Sequence, residues 1–366
     1  MNHFQQYFSQ ITDTRQQWKV KHLLTDIIGL SLLAVICGAE SYQDIEEYGL
    51  SKHQWLKNYL LLPYDIPSHD TIERLMEAMN PKEFNTHFTR WVKEVFQVNG
   101  DFLLHIDGKS NRRSFDHYKG NKMLHALNVY AGEHHLSLAQ MKVEDKSNEI
   151  TAIPQLLEAL DLKGNTITID AIGCQQAIAQ QIAKSKSFYV LAVKGNQQGL
   201  FDQIENAFTL LPLSDKQQSI EKSHGRLEER TCSVLHDMRF VDEEHVWEDL
   251  SSIIRVQSKR TIGSSIQQET RYYISNHQKD APFFQSVIRS HWLIENELHY
   301  VLDVTFNEDY SRKRKMNAAE NFNIIRKMAL NIVRSDKTSK ASLKGRRKSA
   351  GWNNDYIESL LQIFMR

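Results

Sequence analysis

The chain has 366 residues, of which 41% are hydrophobic and 25% charged, and its acidic and basic residues are equal in number. This is the composition of an ordinary globular protein large enough for two or three domains, and a net charge of zero identifies no partner. Three widely spaced cysteines, without CxxC or Cys/His zinc spacing, exclude a disulfide framework and a structural zinc and favour a reducing compartment.

Residues 1–95 are predicted to be helical throughout. The apolar run 27–39 is too short to cross a bilayer and follows no signal-peptide pattern, so we expect a buried core helix there. Asp70 is expected to cap another helix, with Glu73 as its reciprocal capping partner. This helical region is expected to serve either DNA binding or assembly.

The hydrophobic period changes after residue 101. Strands are predicted at 102–107, 124–130, 136–143, 166–170 and 188–193, with helices at 151–160 and 174–184. The first three strands are expected to form an antiparallel meander. The order of three strands, helix, strand, helix, strand is that of ribonuclease H-like domains, which predicts an α/β fold with a mixed sheet flanked by helices.

The remainder combines a predicted β-rich insertion with further helices. Strands are predicted at 229–235, 252–259 and 270–275, helices at 282–307 and 317–333, and a Lys/Ser-rich linker at 337–349. Thirteen Lys or Arg residues lie between Arg312 and Lys348, against two acids. This distribution predicts either a local basic surface for a polyanion or a solvated basic tail.

Two predicted strands end in an acid, at Asp107 in DFLLHIDGKS and at Asp170 in NTITIDAIG. A buried unpaired carboxylate costs several kcal/mol, so each must meet a cation, a metal or water. Two such strands suit a divalent-metal site, although acids are also common in turns. A third acid is expected from the helix 282–307. Glu295 lies at the edge of its apolar stripe, whereas Glu297 is predicted to face solvent and Asp303 is a weaker candidate.

Several basic residues are placed to meet phosphate. Three follow the first acid in KSNRRSF, where a solvated turn is the alternative: Lys109, Arg112 and Arg113. Lys194 ends the fifth strand and is expected to face DNA or to pair with an acid. His105 and Trp292 are predicted to pack in the core.

The motifs HIDGKS, ITIDAIGCQ and HWLIENELHYVLDVTFNED, with SRKRKMNAAENFNIIRKMALN downstream, resemble insertion-sequence transposases of the H-repeat-associated type, in the DDE transposase superfamily. The resemblance covers almost the whole chain and implies a ribonuclease H-like catalytic core. It implies a catalytic, metal-binding triad of Asp107, Asp170 and Glu295. Two Mg²⁺ ions, replaceable by Mn²⁺, would support DNA cleavage and strand transfer at the ends of an insertion sequence.

A wider group of these transposases carries a Tyr–Arg–Glu–Lys signature around its glutamate, and this chain departs from it. Ile288, His291 and Leu302 stand at the three other signature positions. The basic contacts of that signature are therefore assigned to His291, Arg312, Arg314 and Lys315. The SHGRLEER stretch is expected to contribute DNA contacts through His224 and Arg226, with an ordinary β-turn as the alternative.

The resemblance also implies an organisation and a set of partners. The expected division is a helical domain (1–95), a catalytic core (96–221 and 281–335), a β-rich insertion (222–280) and a basic linker with a terminal helix (336–366). The expected partners are terminal inverted repeats, target DNA and further copies of the chain in a homodimer or larger assembly, without a membrane, in a bacterial cytoplasm near the nucleoid. The alternatives are a metal-dependent nuclease without strand transfer and a catalytically dead DNA-binding relic.

Overall fold

The computed structural model describes residues 3–98, 101–115, 123–143, 149–223, 225–242, 244 and 246–364. The N-terminal region is built from helices, as predicted. Helices α1 to α6 span His3–Phe8, Leu24–Ile36, Tyr42–Ser51, His53–Leu56, His69–Ala78 and Pro81–Val95. The region is not helical throughout: between α1 and α2 there is only a short 3-10 helix, Gln17–Lys19. Among the described helices, none combines the length and the apolar character that crossing a bilayer requires.

Helix α2 is the buried core helix expected from its apolar run. Nearly every residue from Leu24 to Ile36 is buried, including Asp26. The Asp26 carboxylate accepts hydrogen bonds from the backbone N–H groups of Leu61 at 3.1 Å and Leu62 at 2.8 Å. These two bonds satisfy the buried charge and fix the loop after α4 against α2.

The predicted cap of α5 is wrong by two residues. The N-cap is Ser68, whose backbone is extended, and Asp70 already lies inside the first helical turn. A residue with helical backbone angles cannot cap the helix that contains it. The reciprocal capping arrangement occurs instead at α3, where Ser41 Oγ accepts from Asp44 N–H at 3.0 Å and Asp44 accepts from Ser41 N–H at 2.9 Å.

In the described part of the chain, the strands form one nine-stranded mixed sheet in the order β3-β2-β1-β4-β5-β9-β8-β7-β6. The β1–β4 and β4–β5 pairs are parallel, and the other pairs are antiparallel. The strands span Leu103–Ser110, His125–Ala131, Leu136–Val143, Thr166–Ile169, Phe188–Val193, Asp215–Ser223, Arg226–Leu235, Ser252–Ile262 and Ser265–Ser275.

Helices connect β3, β4, β5 and β6 in succession, which confirms the predicted mixed α/β class. Helices α7, α8 and α9 span Glu149–Glu158, Gln176–Lys184 and Gln198–Leu210. The antiparallel meander β1–β2–β3 and the helices between β3, β4 and β5 occur in the predicted order. The strands of the β-rich region extend the same sheet, because β9 pairs with β5.

Strand β6 was not predicted. Its sequence DKQQSIEKS contains one large apolar residue, Ile220, and that side chain is 71% exposed. As the outermost strand of the sheet, β6 has little apolar surface to bury, so its sequence lacks the usual signal. It begins at Asp215, before the expected boundary at residue 222.

The helix predicted over 282–307 is interrupted. Helix α10 is followed by a π-helix, Ile294–His299, then by α11, and the helical run ends at Asn307 with a left-handed backbone. The remaining helices are α12, α13 and α14. Helices α10 and α11 span Ala281–Ser290 and Tyr300–Phe306, and α12, α13 and α14 span Ala318–Ser335, Leu343–Trp352 and Asn354–Phe364.

Helix α12 joins the helical region to the sheet, packing against α2, α5, α6 and β3. Asn331 on this helix accepts a hydrogen bond from Ser137 N–H at 2.9 Å and donates to Ser137 C=O at 2.8 Å. Strand β3 lies at the edge of the sheet, so this side chain satisfies backbone groups that a neighbouring strand would otherwise bond.

The predicted basic surface at 312–348 is wrong for three of its cations. Arg326, Lys327 and Arg347 are each no more than 5% exposed. Arg347 donates to the C=O of Val35 at 2.8 Å, on α2. The predicted linker 337–349 also contains the start of α13. Composition counts charges but does not reveal which of them find partners inside the molecule.

Candidate active site

Two carboxylates lie on neighbouring parallel strands. Ile106 on β1 pairs with Ile169 on β4, and the next residues are Asp107 and Asp170. The Asp107 side chain is 16% exposed. Asp170 lies just beyond β4 and accepts a hydrogen bond from the N–H of Ile172 at 3.2 Å. The same edge of the sheet therefore presents both acids, as expected for the carboxyl ends of parallel strands.

The third carboxylate comes from the π-helix. Asp107, Glu295 and His299 each place one oxygen or nitrogen within 4.8 Å of the other two. His299 Nδ1 lies 3.4 Å from Asp107 Oδ2 and 3.6 Å from Glu295 Oε2. Asp170 is not a member of this close cluster, but its charge contributes to raising the pKa of Asp107. The structure thus unites Asp107 and Glu295 with a histidine and places Asp170 just after the adjacent strand.

Burial and the close approach of charges shift the pKa values at this site. Burial raises the pKa of Asp107, and the Glu295 carboxylate raises it further. The neighbouring His299 side chain lowers the pKa of Glu295, although partial burial opposes this shift. Burial and the nearby Glu149 raise the pKa of Asp170. Repulsion between like charges is the expected result when carboxylates converge without a cation between them.

The donor set fits a divalent cation. Asp107 Oδ2 is buried and accepts no hydrogen bond from any described residue. Leaving a buried carboxylate oxygen without a partner is costly, and a bound cation would remove that cost. Carboxylate oxygens are the ligands that Mg²⁺ and Mn²⁺ prefer.

The prediction that Glu297 faces solvent is wrong. Its carboxylate accepts hydrogen bonds from Tyr130 Oη and from His135 Nδ1, both at 2.6 Å. Arg334 donates to the C=O of Glu297 and, at 2.8 Å, to Tyr130 Oη. The π-helix changes the angular position of each residue relative to the regular α-helix assumed in the prediction. Glu297 therefore anchors the π-helix to β2 rather than facing solvent.

Two histidines connect the strands to the end of α10. His105 Nδ1 and His291 Nδ1 each lie 2.7 Å from Thr168 Oγ1, and the two rings are 5.6 Å apart. Burial lowers the pKa of His105 to about 3 and that of His291 to about 4, so both rings are neutral at pH 7. His105 packs in the core as predicted. Trp292 does not: it is 51% exposed, with Arg271 5.4 Å from its ring centre.

Residues 84–332 match the family model of the transposase DDE domain, and residues 5–92 match the model of the domain associated with it. The chain belongs to the DDE transposase family. It is 43% identical to "Putative transposase YncI" of Escherichia coli O157:H7, with 97% of this chain and 93% of that protein covered. It is 39% identical to "H repeat-associated putative transposase YhhI" of Escherichia coli K12, with 97% of each chain covered.

The H-repeat-associated resemblance is thereby confirmed. Among solved structures, this transposase-family chain is similar to the piggyBac transposase in a synaptic complex with hairpin DNA. The TM-score is 0.45 and the identity is 12%, with 100% of this chain and 80% of that chain covered.

The three basic residues after Asp107 lie in different environments. Lys109 is 9% exposed, and its Nζ lies 2.6 Å from Asp303 and 2.8 Å from Glu308. To reach a phosphate, its ammonium would have to leave these carboxylates. Arg112 is 83% exposed and lies 3.3 Å from Asp309. Arg113 is exposed, and its guanidinium lies 4.7 Å from the centre of the Tyr310 ring. The two arginines are available at the surface of this transposase-family chain.

The other predicted DNA contacts are scattered. Arg312 and Lys194 are exposed. Lys315 lies 3.4 Å from Glu73 and 3.3 Å from Glu77. Four predicted contacts remain: Arg314 is half-buried and 5.7 Å from the Phe115 ring centre, Arg226 is 3.4 Å from Glu228, His291 Nδ1 is 2.7 Å from Thr168 Oγ1, and His224 lies outside the described residues.

Two polar residues of the site were missed. His299 stands four residues after Glu295, a spacing that places side chains near one another on a helix and was available as a signal. Asn128 pairs with Asp107 across β1 and β2, and its Nδ2 lies 3.3 Å from His299 Nε2. Local sequence patterns do not show which residues pair across two strands, so the sequence did not indicate Asn128.

Proposed function

We propose that the chain is a DNA transposase that cuts DNA at the ends of its own insertion sequence and joins those ends to a target. Asp107, Asp170 and Glu295 hold two Mg²⁺ ions, which Mn²⁺ can replace. When bound, such ions activate the attacking hydroxyl and stabilise the departing oxygen of a phosphodiester. The protein residues hold the ions and exclude bulk water from the buried side of the site.

The convergence of Asp107 and Glu295 carries this proposal. These residues are far apart in the chain, yet a strand and a π-helix bring their oxygens into one cluster, and Asp107 Oδ2 is buried without a hydrogen-bond partner among the described residues. Asp170 follows the neighbouring parallel strand. Membership of the DDE family supports the transposase reading, and a ribonuclease H-like core fits the order β3-β2-β1-β4-β5.

The proposal includes the way DNA is held. Exposed Arg112, Arg113, Lys194 and Arg312 contact phosphates of the terminal repeats or of the target, and the helical region 1–95 contributes DNA binding or assembly. A homodimer or a larger assembly is part of the same proposal, because joining two ends of an element to one target requires both ends in one complex.

The test is a cleavage and joining assay on a plasmid that carries the DNA flanking this gene, with Mg²⁺ or Mn²⁺. We expect cleavage at the flanking ends and joined products from the wild type, and neither product from Asp170→Ala. Asp161→Ala is the matched control, because Asp161 is an exposed aspartate outside the cluster, and it should react like the wild type.

Each alternative predicts another outcome of this assay. Metal-dependent cleavage without joined products would identify a nuclease and contradict the transposase proposal. Binding to the flanking DNA without any metal-dependent cleavage would identify a DNA-binding relic and contradict the enzymatic mechanism. Equal activity of Asp170→Ala and the wild type would exclude Asp170 from the site.

A further inference from the structure

We propose that His299 is a nitrogen ligand of one of the divalent cations, completing a mixed site with Asp107 and Glu295. This inference rests on the proposed function, because it concerns the same ions. It adds a residue outside the three-carboxylate set, and it predicts that one ion position favours Mn²⁺ over Mg²⁺.

The geometry places the imidazole within the acidic cluster. Nδ1 of His299 lies 3.4 Å from one Asp107 oxygen and 3.6 Å from one Glu295 oxygen. Both are too long for strong hydrogen bonds, yet all three ligand atoms lie within 4.8 Å of one another. His299 is only 7% exposed, so its ring faces the carboxylates rather than solvent. One cation can therefore be approached by two oxygens and one nitrogen.

A second residue can orient the imidazole for this role. A metal-binding histidine usually donates its other ring N–H to an oxygen, which leaves the ligating nitrogen with a free lone pair. Asn128 stands next to His299 Nε2, and its Oδ1 is buried without a hydrogen-bond partner among the described residues.

A half-turn of the Asn128 amide brings Oδ1 to Nε2–H. The cost is the weak bond that Asn128 Nδ2 donates to the C=O of Ala126 at 3.2 Å, which the half-turn replaces with a contact between two oxygens. In return, Asn128 Oδ1 accepts a hydrogen bond from His299 Nε2–H. The unprotonated Nδ1 of His299 then faces Asp107 and Glu295. With the Asn128 amide in its other orientation, Nδ2 would donate to His299 Nε2, and the ring proton would be on Nδ1. Nδ1–H would then donate to the carboxylates, and His299 would hold the acids in place without binding the ion.

The nature of the ligand leads to a measurable selectivity. Mg²⁺ is bound almost entirely by oxygen and keeps several waters, whereas imidazole suits transition metals better. An ion bound by two carboxylates and His299 therefore favours Mn²⁺. Asp170, which is outside the close cluster, belongs to a position with oxygen ligands only.

The decisive experiment is pulsed electron paramagnetic resonance of Mn²⁺ bound to the full-length chain, without DNA. We expect a ¹⁴N coupling from a directly coordinated imidazole, replaced by a ¹⁵N coupling when histidine is supplied in ¹⁵N-labelled form. This comparison needs no mutation. His299→Gln should remove the coupling while Mn²⁺ remains bound through Asp107 and Glu295.

Two histidine variants serve as matched controls. His291→Gln removes the other ring close to Glu295, and His135→Gln removes a ring that pairs with Glu297 outside the cluster. Both should keep the nitrogen coupling. Loss of the coupling in His291→Gln, with retention in His299→Gln, would overturn the assignment to His299.

Binding titrations provide the second readout. His299→Gln should weaken Mn²⁺ binding by about tenfold or more and leave Mg²⁺ binding nearly unchanged, and Asn128→Ala should weaken Mn²⁺ binding by roughly 10- to 100-fold. Bound Mn²⁺ without nitrogen coupling in the wild type would overturn this inference and leave the proposed function intact. Absence of Mn²⁺ binding, or equal binding by Asp107→Ala, would overturn the metal site of the proposed function as well.

Discussion

Gly108 follows Asp107, and its missing side chain leaves room for a buried polar pair. A Cβ at this position would lie 2.6 Å from Glu149 Oε1 and 2.9 Å from His125 Nε2. Those two atoms are themselves 2.6 Å apart, and His125 Nδ1 lies 2.7 Å from Ser110 Oγ. The pair links β2 to the start of α7 directly beside the acids. A larger residue at 108 must therefore displace groups that support the site.

We predict that Gly108→Ala lowers the free energy of unfolding by about 1–3 kcal/mol, the usual cost of overpacking a buried position. Urea denaturation measures the change. Gly199→Ala is the matched control, because a Cβ there meets no atom of the described residues within 4 Å. In the first turn of α9, alanine should leave stability unchanged or raise it by up to about 1 kcal/mol. Equal losses in both variants would contradict the steric explanation.

At the scale of elements, a buried ion-pair network joins β1 to the segment after the π-helix. Lys109 on β1 meets Asp303 on α11 and Glu308 just beyond that helix. Glu308 is 1% exposed, so its charge depends on buried cations, and Lys109 is the one that pairs with it directly. The network holds the helical segment that carries Glu295 in register with the strand that carries Asp107. Lys109 therefore has a structural role whether or not DNA is bound.

We predict that Lys109→Met lowers the free energy of unfolding by about 3–5 kcal/mol, because it leaves buried carboxylates without their partner. Chemical denaturation provides the measurement. Arg112→Met is the control, since this exposed arginine also contacts a carboxylate but should contribute at most about 1 kcal/mol. If Lys109→Met lowers the free energy of unfolding no more than Arg112→Met does, the network does not link the two elements.

The same network predicts a pH dependence. Although burial raises the pKa of Glu308, the charges of Lys109, Lys327 and Arg326 lower it from 4.5 to about 2. The unfolded chain therefore takes up this proton at higher pH than the folded chain, so the stabilisation is present above about pH 4.5 and is lost toward pH 2. The difference in unfolding free energy between wild type and Lys109→Met should shrink over that interval. Urea denaturation at several pH values would test this, and a constant difference would contradict it.

At the scale of the whole molecule, the features that local sequence patterns predicted differ in physical origin from the features that they missed. Apolar runs located β1 and β4 and the acids at or after their ends, because burial of a strand is visible in its own residues. The polar edge strand β6 lacked that signal. The π-helix was missed because a regular period was assumed, which misplaced Glu297. The buried cations, such as Arg326, and the approach of His299 to Asp107 depend on contacts between distant segments, which composition and spacing do not encode.

A chain with zero net charge must bind DNA through local groups, and this leads to a prediction about salt. Each phosphate contact neutralised by a cation contributes about one unit to the slope of log affinity against log salt. Arg112→Gln should reduce that slope by about one unit on linear duplex DNA. Lys184→Gln removes the same charge from the exposed end of α8, about 12 Å along that helix from the Asp170 side, and should leave the slope unchanged. Binding isotherms at four salt concentrations would measure the two slopes. Equal slopes for the two variants would contradict a contact between Arg112 and a DNA phosphate.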